Sequence, residues 1–307
     1  MSTPSRRNVL TAIAATATGA ALLSATAMPA SAAPSRTHHS SDDAKRQAAA
    51  NKAMVGYYYD QLFNHGNLAV VDQFVRSDYI QHNPQMADGS AALKQFAKSL
   101  RAQYPDLSVT FHRILAQGDL VIVHNNFVLK PGTAGSAIAD VFRIQDGKIA
   151  EHWDVVQQVP DTTASGHDMF STLSSPQREW PDPRVSGADS QAVATAMFDE
   201  IFQGRDVGAF DRYVAGPYYQ HSPMAPDGIE TPKRLLSGLF ASPYFNVSTK
   251  RVVADGDYVA LHSHFHFADD RGVAIIDLYR VRDGKVVEHW DIQQPVPETS
   301  ANDNTMF

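Results

Sequence analysis

The 307-residue chain contains no cysteine. That excludes disulfides, thiolate metal sites and a cysteine nucleophile, so stability has to come from packed cores. The body of the chain also lacks a Lys/Arg cluster, and the net charge is −7, which makes nucleic acid and anionic membrane surfaces poor partners. A long apolar run is missing too; the one uncharged stretch, near the N-terminus, is short and Ala-rich, so no stable membrane insertion is expected once it is removed. What the chain does have is 43% hydrophobic against 19% charged residues, enough to build globular cores.

The N-terminus is a different kind of sequence. Ser5-Arg6-Arg7-Asn8-Val9-Leu10 precedes an uncharged Ala/Thr/Leu-rich run to Ala27, and Ala30-Ser31-Ala32 supplies an A-x-A cleavage site. Residues 1–32 read as an export signal of the twin-arginine type, with Val9 and Thr11 where such signals commonly carry Phe and Lys. An N-terminal membrane anchor is the alternative. Residues 33–44, including His38 and His39, are expected to form a disordered tail, and the mature protein is expected outside the cytoplasm.

The rest of the chain repeats itself. DGKIAEHWD from Asp146 recurs as DGKVVEHWD from Asp283, and YIQHNP from Tyr79 recurs as YYQHSP from Tyr218. Val55, Tyr58, Leu62 and Phe63 have the spacing of one buried helix face, answered by Ala194, Met197, Ile201 and Phe202. A second short helix carries Leu68, Val71, Phe74 and Val75, answered by Val207, Phe210, Tyr213 and Val214, with Asn67 and Asp206 as N-caps. Third helices are expected over 91–103 and 231–240.

A period of two then takes over: 107–117, 119–130, 137–145 and 148–158 read as strands separated by turn signals, and the order recurs from Val247. The fold class is therefore α+β: two tandem domains, 45–170 and 188–307, each with N-terminal helices packed on a curved antiparallel sheet. A Ser/Pro-rich linker, 171–187, joins them and permits an intramolecular pseudo-dimer through the sheet faces, a homodimer being the alternative.

Asp146-Gly147 and Asp283-Gly284 read as two-residue hairpin turns. Strict alternation outward from such a turn places Asp140, Phe142, Glu151 and Trp153 on one face, and Asp277, Tyr279, Glu288 and Trp290 on its counterpart. That face is expected to look into the domain, with Asp140 or Asp277 as a desolvated acid beside a Trp wall. The competing reading makes each Asp a rim carboxylate that only accepts hydrogen bonds. The other face would carry His152, Asp154, His289 and Asp291 outward, with Arg143–Asp154 and Arg280–Asp291 salt bridges.

The helices, the YxQHxP phrase, the Asp-x-aromatic-Arg strand and DGKxxEHWD together resemble the SnoaL-like group of polyketide cyclases and aldol-condensation enzymes, in the nuclear-transport-factor-two-like, cystatin-like superfamily. The resemblance spans the mature chain twice. It implies cone-shaped domains with a pocket at one end, no cofactor, and an acidic side chain that removes a proton next to a carbonyl on a small hydrophobic molecule. Asp140 and Asp277 match that acid. His82, His221, His124 and His262 are the candidate helpers, and Trp153, Trp290, Phe142, Tyr279 and Tyr58 the candidate substrate contacts. Tyr57, Tyr58 and Tyr59 become Ala196, Met197 and Phe198 in the second repeat, so a phenolic donor there exists only in the first. The superfamily also contains pure binding modules, so a secreted protein that holds a ligand without chemistry is the second reading. His262, His264 and His266 alternate on one strand, but their counterparts are His124, Asn126 and Val128, so no duplicated metal site is expected.

Overall fold

A computed structural model describes residues 37–307, with side chains from Asp42 onward. The expected export signal over 1–32 lies outside the described residues, as do residues 33–36. Residues 37–44, expected in a disordered tail, form the start of helix α1 (Thr37–Phe63). No described helix is long and apolar enough to cross a membrane.

In the first half α1 is followed by α2 (Ala69–Phe74), β1 (Val75–Gln81), α3 (Ser90–Gln103), β2 (Ser108–Gln117), β3 (Leu120–Val128), β4 (Ser136–Gln145) and β5 (Lys148–Gln158). The second half repeats this as α4 (Gly187–Phe202), α5 (Ala209–Tyr213), β6 (Val214–Gln220), α6 (Glu230–Leu239), β7 (Asn246–Asp255), β8 (Tyr258–His266), β9 (Val273–Arg282) and β10 (Lys285–Pro295). The expected helix face is buried: Val55, Tyr58 and Leu62 in α1, and Ala194, Met197 and Ile201 in α4, are all at most 2% exposed. The short second helices start one or two residues later than the expected caps, with Leu68 and Gly208 at the N-cap positions; Asn67 Oδ1 and Asp206 Oδ1 accept the N–H groups of Ala69 and Gly208 in the turns just before.

The sheets are mixed rather than wholly antiparallel. Their strand orders are β1-β5-β4-β3-β2 and β6-β10-β9-β8-β7, and β1 and β6 run parallel to the last strand of their own sheet. Val75 and Val214 begin these strands instead of ending the preceding helices. The parallel pairing sets Gln81 opposite His152, and Gln220 opposite His289.

Both hairpin turns form as expected, with positive φ at Asp146 (53°), Gly147 (72°), Asp283 (49°) and Gly284 (72°). Beyond them the strict alternation fails. Ile144 pairs with Ile149 but Arg143 pairs with Glu151, so Ala150 is an extra residue; Val287 is its counterpart in the second sheet. This bulge reverses the facing of every residue after it on the strand. Val141 therefore pairs with Trp153, Phe142 with His152 and Asp140 with Asp154. Trp153 and Trp290 leave the pocket face, while His152, Asp154, His289 and Asp291 join it.

The opposite faces of the two sheets pack on each other within the single chain, so both sheets are buried on both sides. Leu115, Ile122, Val141, Trp153 and Val155 share one core with Val253, Tyr258, Leu278, Trp290 and Ile292. The hydrogen bonds across the contact come in reciprocal pairs, as two-fold symmetry demands. Ala116 N donates to Asp255 and Ala254 N to Gln117; Val156 N donates to Gln294 and Gln293 N to Gln157. Each half also lays a guanidinium on the other half's Trp, Arg113 at 3.8 Å from the Trp290 ring centre and Arg251 at 3.5 Å from that of Trp153.

The linker is held into this contact. Arg113 donates to Ser171 O and Thr172 Oγ1, and Arg280, paired with Asp257 at 2.9 Å, donates to Ser174. Arg143 pairs with Glu151 at 2.6 Å, so neither arginine forms the salt bridge expected with Asp154 or Asp291. The linker also makes one turn irreplaceable. A Cβ on Gly256 (φ 58°) would stand 2.5 Å from Asp182 O, whereas one on the equivalent Gly118 (φ 62°) meets nothing within 4 Å. Gly256→Ala is expected to cost several kcal/mol, and Gly118→Ala only about 1 kcal/mol, the price of positive φ alone. Urea denaturation of the two variants checks this; equal losses would contradict it.

Candidate active site

The cavity of the first domain, about 240 Å³, lies between the α1 and α3 helices and the inner sheet face. Tyr58, Tyr59, Tyr79, Phe96, Phe127, Phe142 and Ile138 make most of its wall apolar. Against that wall stand three buried polar groups, Asp140 (3% exposed), His152 (7%) and Asp154 (7%). The ligand-capable atoms of these three lie within 4.8 Å of one another.

The hydrogen bonds fix the proton inventory. Gln81 Oε1 accepts the backbone N–H of Asn83 at 2.9 Å, and Gln81 Nε2 donates to Tyr79 Oη at 3.0 Å, so the amide orientation is determined. His152 Nδ1, 2.9 Å from the same Oε1, must therefore carry a hydrogen. That leaves Nε2 facing Asp140 Oδ1 at 2.9 Å, with a single proton held between them. Burial alone would lower the His152 pKa, but the bond to Asp140 and the nearby Asp154 and Asp140 charges outweigh it, and the pKa is raised. The bond to Asp140 thus favours the protonated ring. Asp140 Oδ2 accepts from Asn125 Nδ2 at 2.8 Å.

Asp154 is the third member of this buried cluster. Its Oδ2 accepts from Asn83 Nδ2 at 2.6 Å, while Oδ1 meets no protein donor. Burial, together with the Asp140 charge, pushes its pKa up to about 6 against the opposing pull of His152 and Asn83. Tyr58, Tyr59 and Tyr79 are raised, first by burial and then by neighbouring charge, so all three keep their hydroxyl protons. Because Tyr79 Oη already accepts from Gln81, its own O–H is available to donate.

A cation could be surrounded by Asp140, His152 and Asp154 only if the His152–Asp140 bond opened, since both ring nitrogens already bond to protein oxygens. The alternating histidines of β8 do not form a metal centre either. His262 joins the interdomain contact beside Arg251, and His264 stacks on Phe307 with Nε2 donating to Arg271 O.

The sequence-derived candidates divide accordingly. Asp140, Phe142 and Tyr58 line the first cavity, and Asp277 and Tyr279 the second. His82, His221, His124, His262, Trp153 and Trp290 do not. His82 and His221 follow the inward Gln81 and Gln220 by one residue and so point the other way. They stack on Trp153 and Trp290 and bond Glu151 and Glu288 at 2.8 and 2.9 Å. His124 accepts from Arg113 on the interdomain face, and burial with that cation holds its pKa well down; His262 falls to about 3 for the same reasons. Both are therefore neutral imidazoles near neutral pH. Alternation missed His152, Asp154, Gln81, Asn83 and Tyr79. The available signal was that Gln81, His152 and Asp154 all recur in the second repeat, as Gln220, His289 and Asp291.

The second domain keeps part of the arrangement. His289 bonds Asp277 at 3.0 Å and Gln220 at 2.9 Å, and burial raises the Asp277 pKa. Its cavity is larger, about 620 Å³; Met197 lines it in place of Tyr58, and Phe198, the counterpart of Tyr59, lies in the core behind. Ser222 and Ser263 replace Asn83 and Asn125.

Two small α+β domains each wrap an apolar cavity around an Asp–His–Asp cluster. Residues 55–152 and 194–289 each match the SnoaL-like domain family, and the chain belongs to that family as a tandem pair. Curated proteins give no match. Among solved structures, similarity is found to TsrD from Streptomyces laurentii (21% identity, 35% of this chain and 88% of that one, TM-score 0.31). An NTF2-like protein from Mesorhizobium loti is similar at 23% identity, covering 38% of this chain and 97% of its own, with TM-score 0.32. A protein assigned as a ketosteroid isomerase, from Kribbella flavida, is similar at 20% identity over 38% of this chain and 84% of its own, with TM-score 0.33.

Proposed function

We propose that the first domain is a cofactor-independent acid/base catalyst acting on a small, largely apolar carbonyl compound. The observation that supports this is Asp154: a buried carboxyl lining an apolar cavity, with one oxygen that meets no protein donor and a pKa pushed up to about 6. Such a group is mostly ionised at neutral pH yet basic enough to take a proton from a carbon next to a carbonyl. The C–H bond breaks, the proton moves to Asp154 Oδ1, and the electron pair passes to the carbonyl oxygen. Tyr79 O–H is the donor placed to stabilise that oxygen, and Asn83 holds the carboxyl in position through its second oxygen. The His152 ring, held by Asp140, opposes the rise that burial and the Asp140 charge impose on Asp154. Reprotonation at another carbon gives an isomerase and attack on a second carbonyl gives a cyclase or aldolase; the proton abstraction is common to both.

A cavity of about 240 Å³ falls below the roughly 300–1,000 Å³ of drug-sized sites, which suits a small substrate. Non-catalytic binding is our reading of the second domain, whose wider cavity has lost Tyr58, Tyr59, Asn83 and Asn125. The twin-arginine-like sequence over 1–32 places both activities outside the cytoplasm in this proposal. The test is deuterium exchange from solvent into small cyclic ketones and β-dicarbonyl compounds, followed by NMR. Protein-dependent exchange at the carbon next to the carbonyl is expected. Binding of these compounds with no exchange would leave binding as the function of both halves.

A further inference from the structure

The segment after each sheet crosses to the other domain before its last residue packs against its own, Phe170 on His112 and Phe307 on His264. Residues 159–170 follow β5 onto the second domain, and residues 296–307 follow β10 onto the first. Ala164 N donates to Pro223 O, and Ala301 N to Pro84 O. His221 Nδ1 donates to Asp168 O and His82 Nδ1 to Thr305 O, both at 2.5 Å. The sequences TASGHDMF (163–170) and SANDNTMF (300–307) thereby fall into register as a further part of the repeat. Met169 and Phe170 end the first tail, and Met306 and Phe307 the second, in the shared core.

The exchange is symmetric in path and unequal in grip. In the C-terminal tail, Asn302 Nδ2 donates to Asn83 O at 2.8 Å and Met86 O at 2.7 Å. Asn304 Nδ2 donates to Gln81 O at 2.9 Å and to Asp88. The matching residues of the first tail are Ser165 and His167; His167 bonds Asp227, and neither holds the backbone of the loop at 220–225. Of the three residues whose carbonyls are gripped, Gln81, Asn83 and Met86, the first two are the ones whose side chains hold His152 Nδ1 and Asp154 Oδ2.

We propose that Asn302 and Asn304, in the tail of the second domain, are positioning residues for the acid/base site of the first. The first domain's site is complete only when the second domain's last residues lie over it. This rests on the functional reading above for its catalytic meaning, while the positioning itself is measurable without turnover.

The experiment uses the full chain with Asn302→Ala/Asn304→Ala and follows the His152 and His289 imidazoles by NMR of labelled histidine across a pH titration. In the unaltered protein His152 is tied to Gln81 and Asp140 amid Asp154, Tyr58, Tyr59 and Tyr79. In the variant the His152 pKa is expected to fall toward the ordinary histidine value and its ring resonances to move, while the His289 resonances stay where they are. The second domain is the internal control. An unchanged His152, or equal movement of His152 and His289, overturns the proposal; Asn302→Ala alone serves if the double variant does not fold. In the exchange assay kcat is expected to fall about tenfold with little change in KM. If His152 moves while Asp154→Asn leaves exchange intact, the positioning stands and the catalytic reading fails.

Discussion

Asp154→Asn is expected to reduce proton exchange by about 10²- to 10⁴-fold and, at pH 8, to make the protein more stable. Both effects follow from one burial. A carboxyl raised from the ordinary 3.8 to about 6 binds more protons folded than unfolded between those values. Stability therefore falls as pH rises from about 4 to about 6 and stays reduced above that. The full shift corresponds to about 3 kcal/mol at pH 8, an upper figure for what the neutral amide recovers. Urea denaturation at pH 4 and pH 8 separates this from a simple packing change, because the advantage of Asn is absent at pH 4. A variant that loses activity and gains nothing at pH 8 would show that Asp154 is not held against its hydration. A gain of stability with full activity would show that its proton is not the one that moves.

Trp290→Ala is expected to cost about 3–5 kcal/mol and to destabilise both domains together. Trp290 is fully buried, stacked with His221 at 4.8 Å and lying under the Arg113 guanidinium, and its Nε1 donates to Ser171 O. Removing the ring opens a cavity in the core that both sheets share, and it leaves a buried guanidinium with one neighbour fewer. Denaturant unfolding monitored by the remaining tryptophans is expected to show one transition displaced as a whole. Two separated transitions, with the first domain unaffected, would mean that the sheets associate without depending on each other.

How much of this could be read in advance depends on which physical signal carried it. The helix faces of α1 and α4 and the Asp-Gly turns rest on local periodicity and turn chemistry, and the repeat made each of them visible twice. The facing of the last strand did not follow from such signals. Alternation tells which residues share a face but not which face is the pocket when both are buried. Trp153 and Trp290 looked like a pocket wall because an apolar stripe is ordinarily the inside; here it is the contact between halves. The bulge at Ala150 and Val287 leaves no mark in composition, and it moves His152 and Asp154 from the expected outside to the cavity. A single step of the same alternation separates Gln81, which touches the site, from His82, which does not. The recurring Met-Phe ends of the two tails were present in the sequence, but their partners lie in the opposite repeat, too far along the chain for any local pattern to show.

The covalent joining of the two halves has a consequence for how they can change. Two identical subunits related by a two-fold axis receive every substitution in duplicate, so a residue useful in one site and harmful in the other cannot be kept. Here each copy mutates alone. Tyr58 and Tyr59 have Met197 and Phe198 opposite them, Asn83 has Ser222, and the Asn302 clamp has Ser165, without disturbing the shared arginine–tryptophan contacts that need both copies intact. Linkage lets one pocket change while the other keeps its own residues.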